Sequence, residues 1–105
     1  QMRDGVVICA GSIITTNVRI GMGVQIDRMC TIGHDCVIGD FVTLTPRVTL
    51  SGGVTLGSAA YMGTGSTTVQ NLVIGESAVV GAGALVAADI PPRVTAYGVP
   101  ARART

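Results

Sequence analysis

Apolar residues recur at every sixth position along this chain. Stepping from Met2 gives Met2, Ile8, Ile14, Ile20, Ile26, Ile32, Ile38, Leu44, Leu50, Leu56, Met62, Thr68, Ile74, Val80 and Val86. Fourteen of these fifteen are aliphatic or Met and only Thr68 departs, so the register never slips. A second column, four residues after the first, is mostly small or β-branched, with Val24, Cys30, Cys36, Val42, Val48 and Ala60 as examples. The position directly after the large one is Gly at 21, 33, 39, 57, 63, 75 and 81. A helix cannot hold such a pattern, because 3.6 residues per turn would smear the stripe around its surface.

A three-sided coil can hold it. If each hexapeptide forms one side, residue i stacks on residue i+18. The small position and the next large one are two apart, so both point inward on a short strand. The residues between a large position and the next small one turn the corner, and Gly beside the corner is expected to allow backbone angles that bulkier residues resist. About 90 residues then make roughly five coils, an all-β parallel prism ~24 Å long at ~4.8 Å per rung. The coil is expected over residues 1–92, with 93–105 as a C-terminal tail. The run Asp89-Ile90-Pro91-Pro92 is expected to stop strand pairing, since proline offers no amide hydrogen. So thin a rod buries little core, and association of several rods is expected.

Composition narrows the function classes. A chain of 105 residues is one domain, and 48% hydrophobic against 12% charged residues argues against disorder. The net charge of +1, carried by scattered arginines, gives no case for nucleic acid or an anionic membrane as partner. No stretch reads as a targeting peptide or as a membrane span. The repeat is already running at Gln1, so the chain is expected to be the C-terminal part of a longer one. Cys9, Cys30 and Cys36 form neither a disulfide framework nor a metal motif; they read as free thiols, Cys30 and Cys36 interior, in a reducing cytoplasm.

The 18-residue turn sorts the corners into three edges. One carries Thr16, His34, Gly52 and Gln70; another carries Asp4, Met22, Asp40, Ser58 and Glu76; the third carries Ala10, Arg28, Pro46, Thr64 and Ala82. His34 is the sole histidine, projecting from an edge beside Asp35. An ordinary imidazole pKa suits a general base at neutral pH, and a neighbouring carboxylate can orient the ring. A solvated surface pair is the plain alternative. One coil on, Gly52-Gly53 would let a backbone amide approach a ligand next to His34, the minimum for acyl transfer with oxyanion stabilisation. Corners also favour glycine for its own sake.

These residues resemble a known family. Ile20-Gly21-Met22-Gly23-Val24-Gln25 and Ile74-Gly75-Glu76-Ser77-Ala78-Val79 fit the hexapeptide-repeat acyltransferase pattern. TIGHDCVIGDF (31–41), LSGGVTLG (50–57), IGESAVVGAGALVAADIPP (74–92) and YGVPAR (97–102) resemble the sialic-acid O-acetyltransferase and bacterial amino-sugar N-acetyltransferase branch. The resemblance implies a left-handed coil, a homotrimer with sites between neighbouring prisms, and acetyl-CoA as co-substrate. It implies a small-molecule sugar or nucleotide-sugar acceptor acetylated on an amine or hydroxyl by direct transfer. By motif, His34 matches the base, Asp35 its acidic partner and Gly52 the glycine whose amide faces the thioester carbonyl. The cofactor is implied near Thr43, Gly52, Thr64 and Ala82, and Arg93, Arg102 and Arg104 are candidates for its phosphates.

Two features depart from that branch. Thr43 stands where the family often has a second histidine, and the N-terminal Rossmann-like domain usual in the branch is absent from this sequence. The rival reading is a non-catalytic trimeric β-helix module. A zinc hydratase on a similar coil needs several histidine ligands, so no metal is expected. An ice-binding coil needs stacked threonines on a flat face. Thr43 and Thr45 instead have Gln25 and Asp27 one coil before them and Tyr61 and Gly63 one coil after.

Overall fold

The computed structural model describes residues 1–104, so Thr105, the end of the expected tail, lies outside the described residues. The chain is all-β and coils left-handedly into a triangular prism with extents of 34 × 21 × 20 Å. The first face stacks Val7–Ile8, Gln25–Ile26, Thr43–Leu44, Tyr61–Met62 and Val79–Val80 in parallel. The second stacks Ile13–Ile14, Thr31–Ile32, Thr49–Leu50, Thr67–Thr68 and Leu85–Val86. The third stacks Arg19–Ile20, Val37–Ile38, Thr55–Leu56 and Val73–Ile74. Every one of these partners is 18 residues away, as the hexapeptide period requires. No helix among the described residues is long and apolar enough to cross a membrane.

The two apolar columns meet on the axis. Ile26, Ile32, Ile38, Leu44, Leu50, Leu56 and Met62 are all at most 1% exposed, interleaved with Val24, Cys30, Cys36, Val42, Val48 and Val54. Each buried aliphatic side chain stabilises the coil by about 1.5–3 kcal/mol relative to exposure. Thr68 is buried in the same column, and its Oγ1 accepts a hydrogen bond from the Ser51 amide at 3.2 Å. The one polar break in the large column is therefore satisfied rather than left in an apolar core. At the N-terminal end the axis is open, and Met2, Ile8, Ile14, Val18 and Ile20 line a cavity there.

The glycine column is needed for a different reason from the one expected. Apart from Gly98, the residues with positive φ are the second residues of the corners, such as Asn17, Met29, Asp35, Phe41, Arg47 and Ala59, and most are not glycine. The glycines after the large position instead lie beneath the next coil. A Cβ on Gly57 would come within 2.5 Å of the Glu76 amide nitrogen, and one on Gly63 within 2.5 Å of the Ala82 nitrogen. Close backbone approach between coils, not backbone angle, excludes side chains there.

The expected stop at the prolines is also corrected. Ile90 bridges Ile74 in parallel, with Gly75 N–H donating to Ile90 O at 2.8 Å and Ile90 N–H to Val73 O at 2.9 Å. Thr95–Gly98 then extends the first face, pairing Val79 with Thr95 and Val80 with Ala96, and Ala101–Arg104 returns antiparallel. The offset has fallen from 18 to 16 because the corner between Val86 and Ile90 is two residues short. Pro91 and Pro92 are tolerated because they lie on the last coil. There an amide at position 91 would point beyond the stack, where no further coil offers an acceptor.

Candidate functional site

The edge between the second and third faces is built from corner pairs stacked one per coil. These are Thr16-Asn17, His34-Asp35, Gly52-Gly53 and Gln70-Asn71. The second residue of each pair donates its amide to the first residue of the preceding pair: Asp35 to Thr16 O at 3.1 Å, Gly53 to His34 O at 2.8 Å, and Asn71 to Gly52 O at 2.9 Å. This ladder uses the second residue's N–H and leaves the first one's free. Among the described residues, Gly52 N–H donates to no acceptor within the chain.

His34 lies in the middle of this edge, its side chain 66% exposed. Its Nδ1 is 2.9 Å from Asp35 Oδ2. The ring leans onto Gly52, since a Cβ there would fall 2.5 Å from Nε2 and 2.6 Å from Cε1. With Nδ1 donating to the carboxylate, Nε2 carries the lone pair, and it is this side of the ring that faces Gly52. The arrangement can take a proton at Nε2 and donate a backbone hydrogen bond from Gly52 to an oxygen gaining charge beside it.

Asp35 is held by more than the histidine. Asn17 Nδ2, one coil earlier, is 2.5 Å from Asp35 Oδ1. The Asn17 amide and, second, the His34 ring hold the Asp35 carboxyl below the usual aspartate range. Sequence reasoning passed over Asn17, although a step of 18 from Asp35 reaches it. The same step from Thr31 reaches Thr49 and Thr67, a three-rung threonine column on the second face, whereas Thr43 and Thr45 have no threonine above or below them.

The remaining candidates lie elsewhere. Thr43 projects, half-buried, from the first face. Thr64 and Ala82 stand exposed on the edge between the first and second faces, with the Thr64 hydroxyl 3.3 Å from that of Thr45. The whole second face separates them from His34. One chain thus brings together His34, Asp35 and Gly52 but not Thr43, Thr64 and Ala82. In the C-terminal hairpin and the turn before it, Arg93 pairs with Glu76 at 2.9 Å, and Arg104 stacks 4.8 Å from the Tyr97 ring centroid.

Other chemistry is accounted for by burial. Cys30 and Cys36 point inward, donating through Sγ to Thr45 O at 3.2 Å and Ser51 O at 3.3 Å. Burial pushes both thiols up, which disfavours the thiolate a nucleophile needs. No three His, Cys, Asp or Glu side chains among the described residues gather in a metal-ligating cluster.

Residues 17–52 match the family described as bacterial transferase hexapeptide (six repeats). Sequence comparison with curated proteins finds no match. Among solved structures, the chain is similar to the acetyltransferase domain of PglB from Neisseria gonorrhoeae in complex with acetyl coenzyme A. There the identity is 30% and the TM-score 0.94, over 98% of this chain and 51% of that one. WeeI from Acinetobacter baumannii is 34% identical with a TM-score of 0.94, over 99% of this chain and 52% of that one. A mutant perosamine N-acetyltransferase from Caulobacter crescentus, in complex with CoA and GDP-perosamine, is 30% identical with a TM-score of 0.77, over 95% and 56%. The chain spans about half the length of these structures.

Proposed function

We propose that this chain, which belongs to the hexapeptide-repeat left-handed β-helix family, is the catalytic coil of an acetyl-CoA-dependent acetyltransferase acting on an amine or hydroxyl of a sugar or nucleotide sugar. The observation that carries this reading is the juxtaposition of an oriented imidazole with a free backbone N–H. His34 Nδ1 is tied to Asp35, and the ring rests on Gly52, whose amide has no partner among the described residues. The acetyltransferase domain and the N-acetyltransferase that the chain resembles were solved with acetyl coenzyme A and with CoA plus GDP-perosamine.

In the proposed mechanism His34 Nε2 takes the proton that the acceptor amine or hydroxyl loses as it attacks the thioester carbonyl carbon. Asp35 steadies the imidazolium that results. Gly52 N–H donates to the carbonyl oxygen as it becomes an oxyanion. The tetrahedral centre then expels the thiol of CoA, which leaves with the proton held by His34. The acetyl group passes directly to the acceptor, with no acyl-cysteine, consistent with the inward thiols.

Thr43, Thr64 and Ala82 enter this reading through assembly. If the cofactor runs along the Thr64–Ala82 edge, a complete site needs that edge of one prism beside the His34 edge of another. A homotrimer with sites between prisms meets this requirement, and cytoplasmic supply of acetyl-CoA fits the free thiols. The experiment is an assay of free thiol released from acetyl-CoA across a panel of nucleotide-linked amino and hydroxy sugars. Acceptor-dependent release that disappears in His34→Ala supports the reading. Release that survives at full rate in His34→Ala refutes His34 as the base.

A further inference from the structure

The His34-Asp35 pair is one link longer than a histidine and its carboxylate. Asn17 and Asp35 occupy the same corner position one coil apart, both in the left-handed region with φ of 57° and 59°. Asn and Asp are the side chains that tolerate this conformation best after glycine. At this position both point outward along the edge, and the Asn17 amide nitrogen meets Asp35 Oδ1 while Asp35 Oδ2 meets His34 Nδ1. A carboxylate only accepts, so the Asn17 group facing it must be the NH2.

The consequence is rotational. Asp35 is about half exposed, and with the histidine as its sole partner the two side chains would be free to turn together. With Asn17 occupying the other oxygen, the plane of the carboxylate is set from the coil below and the imidazole is set by the carboxylate. The hydrogen bond at Nδ1 then decides which ring nitrogen bears the proton. A solvated histidine otherwise favours the proton on Nε2, which would leave no lone pair toward Gly52.

We propose that Asn17 is a positioning residue, which through Asp35 holds His34 in the Nδ1–H tautomer with its Nε2 lone pair directed at the Gly52 side. This rests on the reading of His34 as the base for its functional meaning, but not for its geometry. Outer partners of this kind are comparable to the groups that orient metal-bound histidines, where their loss typically costs 10–100-fold.

The test reads the tautomer directly. His34 is the only histidine, so long-range proton–nitrogen NMR spectra of the folded chain report one imidazole without ambiguity. Asn17→Gly removes the amide while keeping a residue at ease with positive φ, and Asn17→Asp keeps the shape while losing the donor. The native chain is expected in the Nδ1–H form at neutral pH, and both variants are expected to shift toward Nε2–H. With an identified acceptor, kcat in Asn17→Gly should fall about tenfold while KM for acetyl-CoA stays within about twofold. A native chain already in the Nε2–H form, or an unchanged tautomer in Asn17→Gly, overturns the proposal even if His34→Ala is inactive. A shifted tautomer alongside an active His34→Ala upholds the positioning and refutes only the base assignment.

Discussion

The imidazole of His34 rests on the α-carbon of Gly52 one coil above, in space that a side chain at 52 would occupy. A methyl group there would stand 2.5 Å from Nε2 and 2.6 Å from Cε1. The backbone of Gly52, unlike that of Gly53, is not in the left-handed region, so the requirement for glycine at 52 comes from the histidine and not from the turn. Gly52→Ala should therefore fold normally and yet displace the ring. Turnover is expected to fall by about 100-fold, the scale of a 1 Å misplacement of a reacting group. Circular dichroism and denaturant midpoint should stay native while thiol release is lost.

Removal of the proposed base should separate chemistry from binding. His34→Ala is expected to lower kcat by roughly 10²–10⁴. The affinity for acetyl-CoA should change little, since the proposed mechanism has the Gly52 amide, not His34, meet the acetyl carbonyl. Steady-state kinetics paired with calorimetry distinguishes this from a general loss of structure.

The Asp35 carboxyl should titrate below the ordinary aspartate value of about 3.9, chiefly because Asn17 donates to it and secondarily because His34 does. A carboxyl lowered on folding contributes stability that is present above its unfolded pKa. That contribution is lost as pH falls through the lower native value. Carbon-detected NMR titration should find the native midpoint below that of an unstructured peptide. In Asn17→Gly the midpoint should move back up toward the peptide value. The link is solvent-exposed, so added salt should weaken it.

Two glycines separate stacking from conformation. At Gly57 a Cβ would collide with the backbone at Gly75 and Glu76, whereas at Gly65, with φ of 71°, a Cβ would meet nothing within 4 Å. Gly57→Ala should cost about 1–3 kcal/mol by forcing adjacent coils apart. Gly65→Asn, which tolerates the same φ, should change stability by no more than about 0.5 kcal/mol. Urea denaturation of the two variants measures the difference.

The cysteines should differ in reactivity with a thiol reagent under native conditions. Cys9 is partly exposed, whereas Cys30 and Cys36 are buried and hydrogen-bonded inward with raised thiols. Native labelling followed by mass spectrometry should modify Cys9 first, with Cys30 and Cys36 reacting only on denaturation.

The period from Met2 to Val86 made the coil legible, because burial on three short sides leaves one answer to an apolar residue at every sixth position. It located His34, Asp35 and Gly52 on one edge for the same reason. Two things were not legible. The glycine column answers to the backbone of the next coil, a contact 18 residues away that no local propensity reports. Strand pairing continued past Pro91 and Pro92 because a proline at the end of a stack forfeits an amide with no acceptor to reach. The placement of Thr64 and Ala82 on a different edge from His34 was legible from the same 18-residue step, and the proposed function spreads such a site over two copies of the chain. Asn17 is reached from Asp35 by the same 18-residue step, along the second residue of each corner rather than the first.

The most direct test of the central claim is a calorimetric titration of acetyl-CoA into the purified chain after its oligomeric state has been measured. The account predicts a trimer that binds saturably with close to one site per subunit. A well-folded trimer that takes up no acetyl-CoA would contradict it and leave the coil as a structural module.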